Sequence, residues 1–167
     1  MHPRLWGLGL FGAVSIVVGA LALGASGGQS HYVAFGLVVC VGGALLVLVA
    51  VAALRIGRMG WLVTIGLTLA GLFFSLLVAR EDVCCMYGYH RGLGYPWGWL
   101  DSYIVAEDMA VIDAARSDPA VLEKKVDWLK VVLDGLFWLH VALLFVVPVT
   151  WLHRYVQARP KAQPPVP

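Results

Sequence analysis

Residues 31–54 read HYVAFGLVVCVGGALLVLVAVAAL, twenty-four positions without one Asp, Glu, Lys or Arg. An α-helix needs about 20 apolar residues to cross a hydrocarbon core roughly 30 Å thick. A single central charge costs a few kcal/mol on insertion scales, so a charge-free run of this length decides the class of protein. Three further segments extend the pattern: Leu5–Ala25, Gly60–Ala79 and, less cleanly, Leu129–Leu152, which carries Asp134 and His140. The whole chain is 60% hydrophobic and 13% charged. A soluble domain of 167 residues could not hide that much apolar surface in one core, so the surplus is expected to face lipid.

The expected fold is therefore all-α, an integral membrane four-helix bundle forming a single domain over residues 1–157. Its helices are expected at about 5–25, 31–54, 60–79 and 119–152, with a small cap at 80–118 and a flexible Pro-rich tail at 158–167. Arg4, the apolar run and Ala20-Leu21-Ala22 also fit a secretory signal with a cleavage site. The run continues to Ala25, beyond a usual signal core, and the segment is expected to stay as the first helix.

Charge placement gives the orientation. All ten acidic residues lie between Glu81 and Asp134. Arg4, Arg55, Arg58, Arg154, Arg159 and Lys161 fall on one side of a four-span chain, with no acid beside them. Residues 80–130 hold six Lys/Arg and nine Asp/Glu, a net of −3, on the other side. The positive-inside rule then predicts cytoplasmic termini, an extracytoplasmic cap and a plasma (inner) membrane location. Trp6, Trp61 and Trp151 at one boundary, and Tyr32, Trp97, Trp99 and Trp128 at the other, match the interfacial preference of amphipathic rings.

Within the cap, residues 80–100 are rich in Gly, Tyr and Trp and read as an irregular loop. Residues 101–116 read as an amphipathic helix, with Ile104, Val105, Met109 and Ile112 at helical spacing. Asp118-Pro119 reads as an N-cap with proline at the first helical position, so the fourth helix is expected to start there. Small residues at four-residue spacing (Ser15 with Gly19, Gly36 with Cys40 and Ala44, Gly66 with Ala70) mark expected helix contacts.

Asp134 and His140 are the two ionisable groups inside a predicted span, and intramembrane ionisable groups are functional candidates by default. Lys130 stands one turn before Asp134, and an ion pair between them is expected. His140 is expected to hydrogen-bond across to another helix, to its backbone or to the hydroxyl of Ser15, Thr64, Thr68 or Ser75. His2, His31, His90 and His153 lie at or beyond the boundaries, so no second histidine matches its depth for haem. The cap offers Cys84, Cys85, Met86 and His90, ligand types that suit copper(I) or zinc, though in no named metal spacing. Adjacent cysteines bond to each other only with strain, which leaves metal binding, redox chemistry, an interchain disulfide or simple packing open for the pair. Tyr95, Trp97, Trp99 and Tyr103 are candidates for contact with a partner.

No GxxxxGK[ST], GxGxxG, HExxH or GxSxG occurs, and no basic-aromatic stretch suits nucleic acid. Helices one to three lack the central carboxylate of a small multidrug exporter. The layout, with its larger loop between helices three and four, resembles that of tetraspanins, but Met86 follows Cys85 where their hallmark has glycine, and nothing is carried over. The expectation is a non-catalytic accessory, scaffold or binding subunit without a cofactor. Its partners would be the lipid bilayer and other membrane subunits or itself. The alternatives are a redox or metal-handling protein using Cys84, Cys85, Met86 and His90, and a transporter or channel component using Asp134 and His140.

Overall fold

The computed structural model describes residues 3–54, 56–84, 88–119 and 122–158. Four helices are long and apolar enough to cross a membrane: α1 (Pro3–Gly24), α2 (Ser30–Val51), α3 (Arg58–Ser75) and α5 (Trp128–Ala158). The last is 31 residues long, which at 1.5 Å per residue spans about 46 Å. α1 packs along α2, while α2 and α3 each pack on α5.

The α1–α2 hairpin shows how this sequence brings two helices together without charge. Its turn places Gly27 at φ 52° and Gly28 at φ 84°, backbone that an L side chain rarely adopts. Beyond the turn the helix backbones nearly touch at two levels. A Cβ on Gly12 would stand 2.6 Å from the Gly43 carbonyl oxygen, and one on Gly43 would stand 2.7 Å from that of Gly12. Gly19 and Gly36 repeat this reciprocal approach at 2.7 and 2.8 Å. In each helix the two glycines are seven residues apart, two turns, so they fall on one face. Small residues allow such approach where lipid supplies no hydrophobic drive between helices. The expected four-residue pairs Ser15–Gly19 and Gly36–Cys40 lie in this contact, with Ser15 Cβ 3.0 Å from a Cβ placed on Gly43, and the seven-residue glycine pairs add to them; at Gly66, also expected in a helix contact, a Cβ would meet nothing within 4 Å. Cys40 donates its thiol to the Ile16 carbonyl at 3.4 Å.

The cap corrects the all-α expectation. The chain is mostly helical, but between α3 and α5 it folds into a four-stranded antiparallel sheet. The strands are β1 (Ala79–Cys84), β2 (Gly88–Leu93), β3 (Leu100–Val105) and β4 (Lys124–Val126), in the order β1-β2-β3-β4. The stretch expected to be irregular is largely the β1–β2 hairpin, and the helix expected over 101–116 divides into β3 and the shorter α4 (Met109–Ser117). Ile104 and Val105 are β-branched and serve a strand as readily as a helix. The helix start lies at Asp108, whose carboxylate accepts from the Val111 N–H at 3.1 Å. On one face of the sheet Tyr89 and Ile104 pack with Ala106, Ile112, Ala115 and Leu122, forming the cap's own core. Replacing Asp108 with alanine should loosen α4 on this core by about 1 kcal/mol, the usual cost of a lost N-cap. Faster amide hydrogen exchange over residues 109–117, with α5 unchanged, is the expected reading.

The fourth of the long apolar helices starts at Trp128, not Pro119. Lys124, Lys125 and Val126 pair with Ser102, Asp101 and Leu100, so the approach to the helix is spent on a strand. Asp127 then caps α5, accepting from the N–H groups of Leu129 at 3.1 Å and Lys130 at 3.3 Å. These bonds, that from Lys130 first, hold the Asp127 carboxyl below its ordinary pKa. The Pro-rich tail from residue 159 lies outside the described residues.

Candidate functional site

The junction between cap and helices is the most densely built polar and aromatic site in the described structure. It is made by Gly94-Tyr95-Pro96-Trp97-Gly98-Trp99, between β2 and β3. Gly94 adopts φ 130° and the Tyr95–Pro96 bond is cis. Gly98 lies so close to Gly92 that a Cβ on it would stand 2.8 Å from the Gly92 Cα. The loop is thereby folded back against the sheet, and its rings point to three different helices.

Tyr95 meets Phe137 of α5 edge to face at 5.7 Å, and its carbonyl accepts from the Trp138 indole N–H at 3.1 Å. The Arg80 guanidinium lies 5.9 Å from the Tyr95 ring centre, within cation–π range. Trp97 reaches α2, where its ring packs against Phe35 at 4.4 Å, Tyr32 at 5.6 Å and His31 at 6.4 Å. Trp99 directs its indole N–H to the Ser75 hydroxyl of α3 at 3.4 Å. Of the four aromatic candidates for partner contact, these three are half-buried in contacts within the chain, and Tyr103 is exposed at 58%.

Asp134 fastens the loop from below. It is fully buried, and its Oδ1 accepts from the Trp97 backbone N–H at 3.0 Å. Its Oδ2 has no partner among the described residues. The ion pair expected with Lys130 is not formed. Lys130 instead turns toward the cap, donating to Asp101 Oδ2 at 2.5 Å and lying 3.5 Å from Asp127 Oδ2. Strand β3 supplies a carboxylate at the polar end of the helix, and a lysine keeps its ammonium at that end more cheaply than beside a buried group.

His140 also departs from expectation. Its Nδ1 lies 2.8 Å from the Leu136 carbonyl of its own helix, and a carbonyl accepts only, so Nδ1 carries the proton. The ring stacks at 5.8 Å on Phe11 of α1 and lies against Gly42 of α2, where an added Cβ would stand 2.6 Å from its Cδ2. Nε2 is buried without a described partner. The hydroxyls considered for it serve their own helices: Ser15 donates to Phe11, Thr64 to Gly60, Thr68 to Thr64 and Ser75 to Leu72. Asp134 and His140 are six residues apart, about 9 Å along the axis, and no hydrogen bond joins them.

Of the metal-type residues, Cys85 and Met86 lie outside the described residues, as does the side chain of Cys84. His90 Nε2 stands 3.3 Å from Asp101 Oδ1, which joins His90 to the Asp101–Lys130–Asp127 chain of charges. Among the described residues no three His, Cys, Asp or Glu side chains are grouped to hold a metal ion. On the α4 side of the sheet Glu81 lies 3.3 Å from Arg116 and 3.8 Å from Arg91. Tyr89, buried beneath them, has its phenol pushed up, first by burial and then by the charge of Glu81.

The sequence reading missed the junction itself. Its signal was present as an aromatic run between glycines followed, 37 residues beyond Trp97, by a lone carboxylate within an apolar helix. With the geometry in hand, no family of proteins, no curated protein and no solved structure matches the chain.

Proposed function

We propose that this chain is a non-catalytic accessory or scaffold subunit of a larger membrane assembly. In this reading it lies in the plasma (inner) membrane, with both termini cytoplasmic and the sheet-bearing cap outside. The observation that carries the proposal is the bond from the Trp97 N–H to Asp134. The buried carboxylate that would be the first candidate for chemistry is engaged in fixing the cap to α5, while Trp97 and Trp99 tie the same loop to α2 and α3. A cap held on three helices presents a fixed surface, which suits recognition. α1 and α3 each keep most of their length unburied within the chain, leaving apolar faces for lipid or for neighbouring helices.

Purification from native membranes in a mild detergent, followed by mass spectrometry of co-eluting chains and of bound metal, tests this. Stoichiometric partner chains without metal are expected. A lone chain carrying about one copper or zinc would overturn the proposal and move the function to Cys84, Cys85, Met86 and His90.

A further inference from the structure

Between α3 and α5 lies an open groove of about 310 Å³, lined by Ile65 and Leu69 of α3 and by Val132, Gly135, Leu136 and Leu139 of α5. That volume falls at the lower end of ligand-sized cavities, roughly 300–1,000 Å³. The four α5 residues recur at helical spacing and make one face of that helix. Gly135 deepens the groove, since a Cβ there would meet nothing nearer than Leu72 at 3.9 Å. The hydroxyl on the wall, that of Thr68, donates to the Thr64 carbonyl at 2.9 Å and is not free to bind a guest. A cavity this apolar does not hold water, so in a membrane hydrocarbon fills it.

Depth and flanking residues indicate which hydrocarbon. Val132 and Leu139 stand four and eleven residues beyond Trp128, about 6 and 16 Å along the helix axis. One leaflet supplies about half of a hydrocarbon core roughly 30 Å thick, so the groove has the depth of the cap-side leaflet. Trp128 lies one turn before Val132 on the same helix face, exposed at 73% and without a hydrogen bond among the described residues. An indole at this level is an interfacial donor. Strand β4 sets Lys124 and Lys125 just before it. Both are exposed and join no ion pair among the described residues, whereas Asp101 and Asp127 are already engaged by Lys130. Glu123 is the opposing charge beside them, which leaves the approach basic. Basic residues at a membrane surface attract anionic lipid. A partner helix fits this groove less well. Close helix contact in lipid uses small residues on both backbones, as α1 and α2 do, and here Ile65, Leu69, Val132, Leu136 and Leu139 would hold a helix away.

We propose that the groove seats one acyl chain of an anionic phospholipid from the cap-side leaflet, with its phosphate held by the Trp128 indole N–H and the ammonium groups of Lys124 and Lys125. The chain alone gains little over bulk lipid, which is as apolar as the groove, so retention and selectivity come from the headgroup. The inference goes beyond the accessory-subunit reading and shares only the membrane setting with it.

Native mass spectrometry of the detergent-solubilised chain tests it, with phosphatidylglycerol and phosphatidylcholine of identical acyl chains added in equal amounts. One retained phosphatidylglycerol is expected, favoured about tenfold or more over phosphatidylcholine, the scale set by two lysines near a charged surface. Gly135→Leu fills the groove and should lower retention by about as much, while Gly66→Leu, on open α3 surface outside it, should not. Lys124→Gln combined with Lys125→Gln should bring the two lipids to equal retention, with helical content unchanged. In native membranes, p-benzoylphenylalanine at Leu69 should give an adduct with the mass of a phospholipid. Equal retention of both lipids by the unaltered chain, or retention that survives Gly135→Leu, overturns the inference. A Leu69 adduct to another protein or to a second copy also overturns it, and leaves the accessory-subunit reading standing.

Discussion

Gly43→Leu should separate α1 from α2, with a loss of about 3 kcal/mol or more in stability. Overpacking costs about 1–3 kcal/mol where side chains can shift aside, and here the first atoms met by the new Cβ belong to the Gly12 carbonyl and the Ile16 backbone nitrogen, at 2.7 and 3.0 Å. Backbone within a helix cannot rotate away, so the helices must part or slide. Sliding would carry Gly19 off Gly36 as well, because the two close approaches lie on the same pair of faces. Gly66→Leu is the matched control, since a Cβ there meets nothing within 4 Å. Unfolding in detergent mixtures of rising SDS content, followed by far-UV circular dichroism, should shift strongly for Gly43→Leu and hardly for Gly66→Leu. Equal shifts would mean that the glycine crossing does not hold the hairpin together.

The second large effect is expected at Asp134, where alanine and asparagine should differ. Alanine removes the acceptor of the Trp97 N–H and leaves that donor buried, at a cost of about 1–3 kcal/mol. It also opens a cavity under the loop. Asparagine keeps a carbonyl oxygen for the Trp97 N–H and should stay within about 1 kcal/mol of the native protein. The expected readout is local. Alanine should speed hydrogen exchange over residues 94–99 and red-shift tryptophan emission, while α1 and α2 keep their protection. Identical behaviour of the two variants would show that the carboxylate's charge, rather than its acceptor geometry, is what matters at this position.

These two sites differ in how far the sequence announces them. The long apolar helices were legible because runs of about twenty residues with few or no charges have few other uses, and the structure contains four helices long and apolar enough to cross a membrane. The small-residue faces were legible in part: Ser15, Gly19, Gly36 and Cys40 lie in the α1–α2 contact as expected, whereas Gly12 and Gly43 stand amid so many Gly and Ala that nothing singled them out. The sheet was hidden for a different reason. Its strands are three to six residues long, and polar side chains such as Glu81, Arg91, Asp101 and Lys124 form ion pairs or face water on both surfaces, which erases the alternation that marks a strand. The start of α5 was misplaced because Asp118-Pro119 and Asp127 are both good helix-start signals, and only the pairing of Lys124–Val126 with β3 decides between them. The partner of Asp134 had no signature at all. It is a backbone N–H 37 residues away, a donor every residue but proline possesses.

The position of β4 and Asp134 in the chain has a consequence for synthesis. Strands β1 to β3 and the aromatic loop leave the ribosome before the strand that completes the sheet and before the helix that receives the loop. Until α5 has been made, Trp97 lacks its carboxylate acceptor and Tyr95 lacks the Phe137 ring. The last helix is therefore the element that completes the cap, and a ribosome stalled before residue 134 would hold the α1–α2 hairpin beside an unfinished junction.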